Sequence, residues 1–145
     1  MDTEQVSAGT PSSNGAAPTV LVVEDTEALR VALCELLREQ GYRVETAGDG
    51  AQAAQAARRS DPDVIIMDLR LPGEDGLSAI QEIRTFVPGA LVIVHSFYSD
   101  PMTRKSLEDE GVFRYVVKGS SPDRLLDAVK QAIAQKRAAE RPSPR

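Results

Sequence analysis

Short apolar runs alternate with helical periodicities through the middle of the chain: VLVV at 20–23, YRVETA at 42–47, VIIM at 64–67, LVIV at 91–94 and YVV at 115–117. That alternation predicts βαβ units and a parallel sheet. Four of the runs are continuously apolar, as strands covered on both faces must be, whereas YRVETA alternates Tyr42, Val44 and Thr46 with polar residues. The second strand is therefore expected at an edge. Leu29, Leu33, Leu36 and Leu37 share one face of a first helix, and Leu125, Ala128, Val129, Ala132 and Ile133 share one face of a last helix. Gly41 is placed to end the first, and Ser121-Pro122 to start the last. A fourth helix after Asp100 has little but Met102 and Leu107 to bury, which predicts a loosely held element.

Composition then sets bounds. The 145 residues are 41% hydrophobic, enough for one core. A net charge of -5 argues against broad binding to nucleic acid or membranes. The single cysteine, Cys34, lies among helical leucines, so neither a disulfide framework nor a cysteine metal site is expected within one chain. No signal segment or membrane span is evident, and a cytoplasmic location follows as an expectation. Residues 1–17, rich in Ser, Thr, Gly, Ala and Pro, are expected to be a disordered arm, 18–139 a single folded domain, and 140–145 a short basic tail.

Polar residues mark one end of the strands. Glu24 and Asp25 follow the first, Asp68 ends the third, Ser96 follows the fourth and Lys118 ends the fifth. In an open parallel sheet these carboxyl ends lie along one edge, where ligands bind. Three carboxylates there repel unless a cation separates them, and a few oxygen ligands suit Mg²⁺. A lysine and a hydroxyl opposite them match the remaining oxygens of a phosphoryl group. Asp68 is thereby a candidate for both metal ligand and nucleophile. His95, the only histidine, points away from Ser96 by strand alternation and is expected to be packed or capped.

Taken together, LVVED, IIMDLRLPGEDG, VHS and YVVK, in that order and at those intervals, resemble the receiver domain of bacterial two-component response regulators over Thr19 to Ala139. The resemblance implies an α/β, flavodoxin-like, doubly wound sheet of five parallel strands in the order 2-1-3-4-5, with five helices. It implies a phosphoacceptor switch rather than an enzyme, with Asp68 accepting a phosphoryl group from a sensor histidine kinase or histidine phosphotransfer protein. By the same transfer Glu24, Asp25, Asp68 and the backbone carbonyl of Arg70 hold Mg²⁺. Lys118 and Ser96 meet the phosphoryl oxygens, and Tyr115 turns inward when Ser96 moves. The surface of helix four, strand five and helix five is then expected to act on a downstream effector or an output domain, or to form a homodimer, with no direct nucleic-acid binding. Glu24 stands where Asp is frequent in that family, Gly119 where proline is, and Phe97 where small residues are.

Three rival readings deserve weight. GDGAQA fits a dinucleotide-binding G-x-G-x-x-A, but Asp49 would repel a pyrophosphate, and Asp49 with Gln52 makes a helix cap. A phosphatase of the aspartate-nucleophile type normally carries D-x-D, whereas Asp68-Leu69-Arg70 lacks the second acid. A receiver-like interaction module independent of phosphorylation is the alternative that the intact acids, Ser96 and Lys118 oppose.

Overall fold

The computed structural model describes residues 17–71, 74–97 and 100–140. Nearly all of the expected N-terminal arm and C-terminal tail lies outside the described residues. The strands are β1 (Thr19–Val23), β2 (Arg43–Ala47), β3 (Val64–Met67), β4 (Leu91–Ser96) and β5 (Arg114–Val117). The helices are α1 (Glu27–Glu39), α2 (Gly50–Ser60), α3 (Gly76–Phe86), α4 (Pro101–Asp109) and α5 (Pro122–Glu140). All strand pairs of the sheet are parallel, and the order is β2-β1-β3-β4-β5. The half-polar second strand thus sits at an edge, as its alternation requires.

Strand alternation divides the core into two layers. Leu21, Val23, Ile65, Met67, Val92 and Val94 pack with residues of α2, α3 and Leu107 of α4. Val20, Val22, Val64, Ile66, Ile93 and Val116 pack with Leu33 and Leu37 of α1 and the apolar face of α5. Because both faces of β1, β3 and β4 are covered, their side chains carry no polar alternation. Leu107 is the buried side chain of α4, so that helix has the thinnest anchor of the five.

Local chemistry fixes the element ends. Gly41, at φ +94°, takes the left-handed conformation that closes α1, and its N–H donates to the Arg38 carbonyl. Asp49 Oδ1 accepts from the Gln52 N–H at 2.8 Å while Gln52 Oε1 accepts from the Gly48 N–H at 2.9 Å. The GDGAQA run is therefore a reciprocal helix cap. Ser121 Oγ accepts from the Asp123 N–H at the start of α5.

After Asp68 the sequence suggests only a broken loop, but Arg70–Leu71 and Glu74–Asp75 form a short antiparallel ladder. Gly76 closes it, its N–H donating to the Leu69 carbonyl at 2.9 Å. A Cβ on Gly76 would stand 2.6 Å from Leu69 Cα and 3.0 Å from the Asp68 carbonyl oxygen. Backbone cannot yield as a side-chain tip can, so Gly76→Ala should destabilise by about 3 kcal/mol, the upper part of the overpacking range. Urea unfolding checks this, and a loss below about 0.5 kcal/mol, the scale of a neutral surface change, would show that the loop relaxes freely.

Candidate functional site

The five strands deliver their carboxyl ends to one crevice. Glu24 follows β1 with its N–H bonded to the Ala47 carbonyl, and Asp68 follows β3 with its N–H bonded to the Val23 carbonyl. Sheet hydrogen bonding therefore continues one residue past each strand and sets both acids at fixed positions. Glu24, Asp68 and Ser96 are 1%, 4% and 4% exposed, whereas Asp25 faces solvent. One carboxylate oxygen from each of Glu24, Asp25 and Asp68 lies within 4.8 Å of the others.

Lys118 enters from β5, where its own N–H donates to the Ser96 carbonyl at 2.7 Å. Its Nζ donates to Asp68 Oδ2 at 2.9 Å and pairs with Glu24 Oε1 at 2.8 Å. The other oxygens are also engaged: Asp68 Oδ1 accepts from the Arg70 N–H at 3.0 Å, and Glu24 Oε2 from the Thr26 N–H at 3.1 Å. Burial raises the Glu24 pKa, and the Lys118 and Thr26 bonds only partly offset it. Burial opposes the Lys118 charge, yet its bonds to Glu24 and Asp68 together outweigh that and leave the ammonium more firmly protonated than usual. The crevice holds a cation between buried anions, an arrangement stable only while the partners stay together.

Every sequence-predicted acid, together with Lys118 and Ser96, converges on this edge. Tyr115 packs against the α2–α4 layer with its hydroxyl buried and unpartnered, and the Arg104 guanidinium lies 4.4 Å over its ring. Arg104 was not singled out from sequence, because nothing in a helix pattern shows which strand its arginines cover. Arg30 was missed as well. From the first turns of α1 it reaches back to the carbonyl oxygens of Glu24 at 2.9 Å and Asp25 at 3.4 Å, bracing the acidic loop. Phe97 is 68% exposed and its ring centroid lies 5.4 Å from Lys118 Nζ, on the rim of the crevice.

His95 takes the face that alternation assigns it, against α1 and α5, and is packed but not capped: its Nδ1 is buried without a partner. Burial lowers its pKa from 6.5 to about 4, with the Lys118 charge adding to the effect and Asp68 opposing it. Between those values the unfolded chain binds the proton and the folded one does not, so the stability is fully present above the ordinary value and drains away as pH falls toward 4. The loss amounts to up to about 3 kcal/mol, at 1.36 kcal/mol per unit. His95→Leu should flatten that part of the pH–stability curve; an unchanged slope between pH 6.5 and 4 would assign it to other groups.

Residues 20–130 match the family model of the response regulator receiver domain. The chain belongs to that family. It is 35% identical over 128 residues to the transcriptional regulatory protein PdtaR of Mycobacterium tuberculosis, an alignment covering 87% of this chain and 62% of that protein. Its fold is similar to that of a CheY-like receiver domain protein from Methanospirillum hungatei, with a TM-score of 0.82, 20% identity and coverage of 86% and 99% of the two chains. It also resembles TrrA of Thermotoga maritima, solved in complex with Mg(2+)-BeF, with a TM-score of 0.71, 34% identity and coverage of 79% and 98%. The fold is thus the CheY-like, flavodoxin-like one that the motifs imply.

Proposed function

We propose that this chain is a phosphoacceptor switch in which Asp68 takes a phosphoryl group from the phosphohistidine of a sensor kinase or phosphotransfer protein. The observation that carries the reading is the buried Asp68 carboxylate with Lys118 Nζ at 2.9 Å and two further acids converging on it. One oxygen of Asp68 forms a bond to phosphorus as the phosphorus–nitrogen bond of the donor breaks, its electron pair returning to the imidazole. Lys118 would exchange Asp68 Oδ2 for a phosphoryl oxygen, and Ser96 would donate to another.

Glu24, Asp25, Asp68 and the Arg70 carbonyl would hold Mg²⁺. The donor set fits, because three hard oxygens gathered within 4.8 Å suit that ion. When bound it supplies positive charge to the transferring phosphoryl oxygens. The likeness to TrrA, solved with Mg(2+)-BeF, supports this reading.

Output would pass through Ser96 and Tyr115 to α4, β5 and α5. Leu107 anchors α4 thinly, so a modest change at the Ser96 end of β4 suffices to shift its population between two placements. The receptor of that change would be an effector protein, an output domain or a second copy. The chain spans 62% of the length of PdtaR, so no output is read from that relative's name. Among the described residues no helix is long and apolar enough to cross a membrane.

Intact-mass measurement after incubation with Mg²⁺ and a panel of phosphorylated kinases should show one added phosphoryl group. A chain that never gains it, while still binding a partner, would be a phosphorylation-independent module instead. Asp25→Ala should weaken Mg²⁺ and beryllofluoride together, by about tenfold or roughly 1.4 kcal/mol for one lost hard ligand. Equal affinity of the mimic with and without metal would refute the shared site.

A further inference from the structure

Three side-chain bonds tie the carboxyl end of α4 to α3. The Arg84 guanidinium donates through Nη1 to the Glu110 carbonyl and through Nη2 to the Gly111 carbonyl at 3.1 Å, while Gln81 Nε2 donates to Glu110 Oε2 at 2.9 Å. Leu107 and Val112, on either side of the tie in sequence, pack into the layer of α2 and α3. The tie suits a guanidinium. Its planar fork carries two N–H groups to two successive carbonyls, and a cation there meets the negative end of the helix dipole. Gly111 takes φ +82°, and a Cβ on it would press on Arg84 Nη1 at 3.3 Å. Arg84 Nε is buried with no partner, so the side chain forgoes one donor to place the other two.

The amino end of α4 is held differently. Its cap is local, Asp100 Oδ1 accepting from the Thr103 N–H at 2.7 Å, and Met102 is 82% exposed. Arg104 there lies 4.4 Å over the Tyr115 ring. Four residues separate this end from Ser96, the strand end that a phosphoryl group on Asp68 would engage. A pull from the crevice therefore reaches α4 at the end farther from Arg84.

We infer that Arg84 is a positioning residue: it pins the carboxyl end of α4, so that the helix answers phosphorylation by pivoting there instead of sliding as a unit. The trigger rests on the phosphoacceptor reading above, whereas the pin does not. Nine residues make a lever about 13 Å long, so a small rotation at the pin becomes a displacement of Met102 and Arg104. Arg104 then moves relative to the Tyr115 ring while the Gly111 end keeps its place. A partner that reads the switch must contact the amino half of α4.

Amide hydrogen exchange in the resting chain tests the pin. Arg84→Ala should speed exchange of the Glu110 and Val112 amides, now bonded to the Ser106 and Leu107 carbonyls, about tenfold relative to the amides of β3. Arg84→Lys, which keeps the charge and reaches one carbonyl, should show about a threefold change and stands in if the alanine variant does not fold. Unchanged exchange at both amides in a folded variant would overturn the pin. Saturation with Mg²⁺ and beryllofluoride tests the pivot, through a pattern that a merely stabilising contact would not set. NMR shift changes at amides 103–105 should exceed those at 108–111 about threefold in the unaltered chain, and Arg84→Ala should even them out. Equal changes at the two ends of α4 in the unaltered chain, or an uneven pattern that persists in folded Arg84→Ala, would overturn the pivot. A chain that takes no beryllofluoride would defeat the phosphoacceptor reading and the pivot with it, and the exchange result would still decide the pin.

Discussion

Asp68→Asn should gain no phosphoryl group from any phosphorylated kinase that labels the unaltered chain, and should keep the fold. The amide has nearly the same shape, and its oxygen can still accept from the Arg70 N–H that now binds Oδ1 at 3.0 Å. What it loses is the negative charge that would make a carboxylate oxygen a nucleophile toward phosphorus. It also turns an NH₂ group or a neutral oxygen toward Lys118 Nζ, where the charged Oδ2 stands at 2.9 Å. Lys118 keeps Glu24, so the stability loss should be modest, about 1–2 kcal/mol for one charge-assisted bond. Intact mass with kinase and Mg²⁺ reads the first effect and urea unfolding the second. A phosphoryl adduct persisting in a folded Asp68→Asn protein would move the acceptor to another residue, and Ser96 would be the first to examine.

The fold was legible because burial on two faces writes itself into consecutive residues. VIIM and LVIV could only be interior strands, and the polar alternation of YRVETA could only be an edge. The acids were legible for a related reason: a carboxylate directly after an unbroken apolar run has no place in a core and must lie at a strand end. Side chains that reach across elements left no such mark. Arg30 bracing the Glu24 and Asp25 carbonyls, Arg84 bonded to the carbonyls of Glu110 and Gly111, and Arg104 over Tyr115 all look like ordinary helix-surface arginines in the sequence. Their targets depend on helix placement, which hydrophobic periodicity does not resolve to the ångström.

The resting occupation of the acids was also invisible. Sequence reasoning placed Lys118 opposite the carboxylates to await a phosphoryl group, whereas it already bridges two of them. Glu24 supplies one bridge point, and its carboxylate simultaneously accepts from Thr26 at the entry to α1. The acid that stands where Asp is frequent in the family therefore also ties the lysine to the start of a helix. Such a tie is a consequence of three chain segments meeting, and no single motif contains it.

Lys118→Ala should then be the most disruptive change that leaves every acid in place. Removing Nζ strips the cation from between Glu24 and Asp68, both nearly inaccessible to water. Breaking a buried pair costs about 3–5 kcal/mol because the remaining charge stays buried, and here two like charges remain. The carboxylates can escape by taking up a proton, so the Glu24 pKa, already raised by burial, should rise further. A raised carboxylate pKa means the folded state holds the proton longer than the unfolded one. Stability is then gained as pH falls toward the ordinary carboxylate value and lost as pH rises through the folded value. Mg²⁺ offers the second escape, since it restores positive charge between the same oxygens. Urea unfolding near pH 7 should accordingly show the variant weakened in metal-free buffer and substantially recovered by Mg²⁺, a recovery the unaltered chain shows to a smaller degree. Phosphorylation should still occur to some extent, but the NMR shifts of Tyr115 and α4 that accompany it should be lost, because the phosphoryl charge has no pair on β5. If Mg²⁺ fails to recover the variant, or if those shifts appear unchanged on phosphorylation, Lys118 is neither the counter-charge of the acids nor the partner of the phosphoryl group.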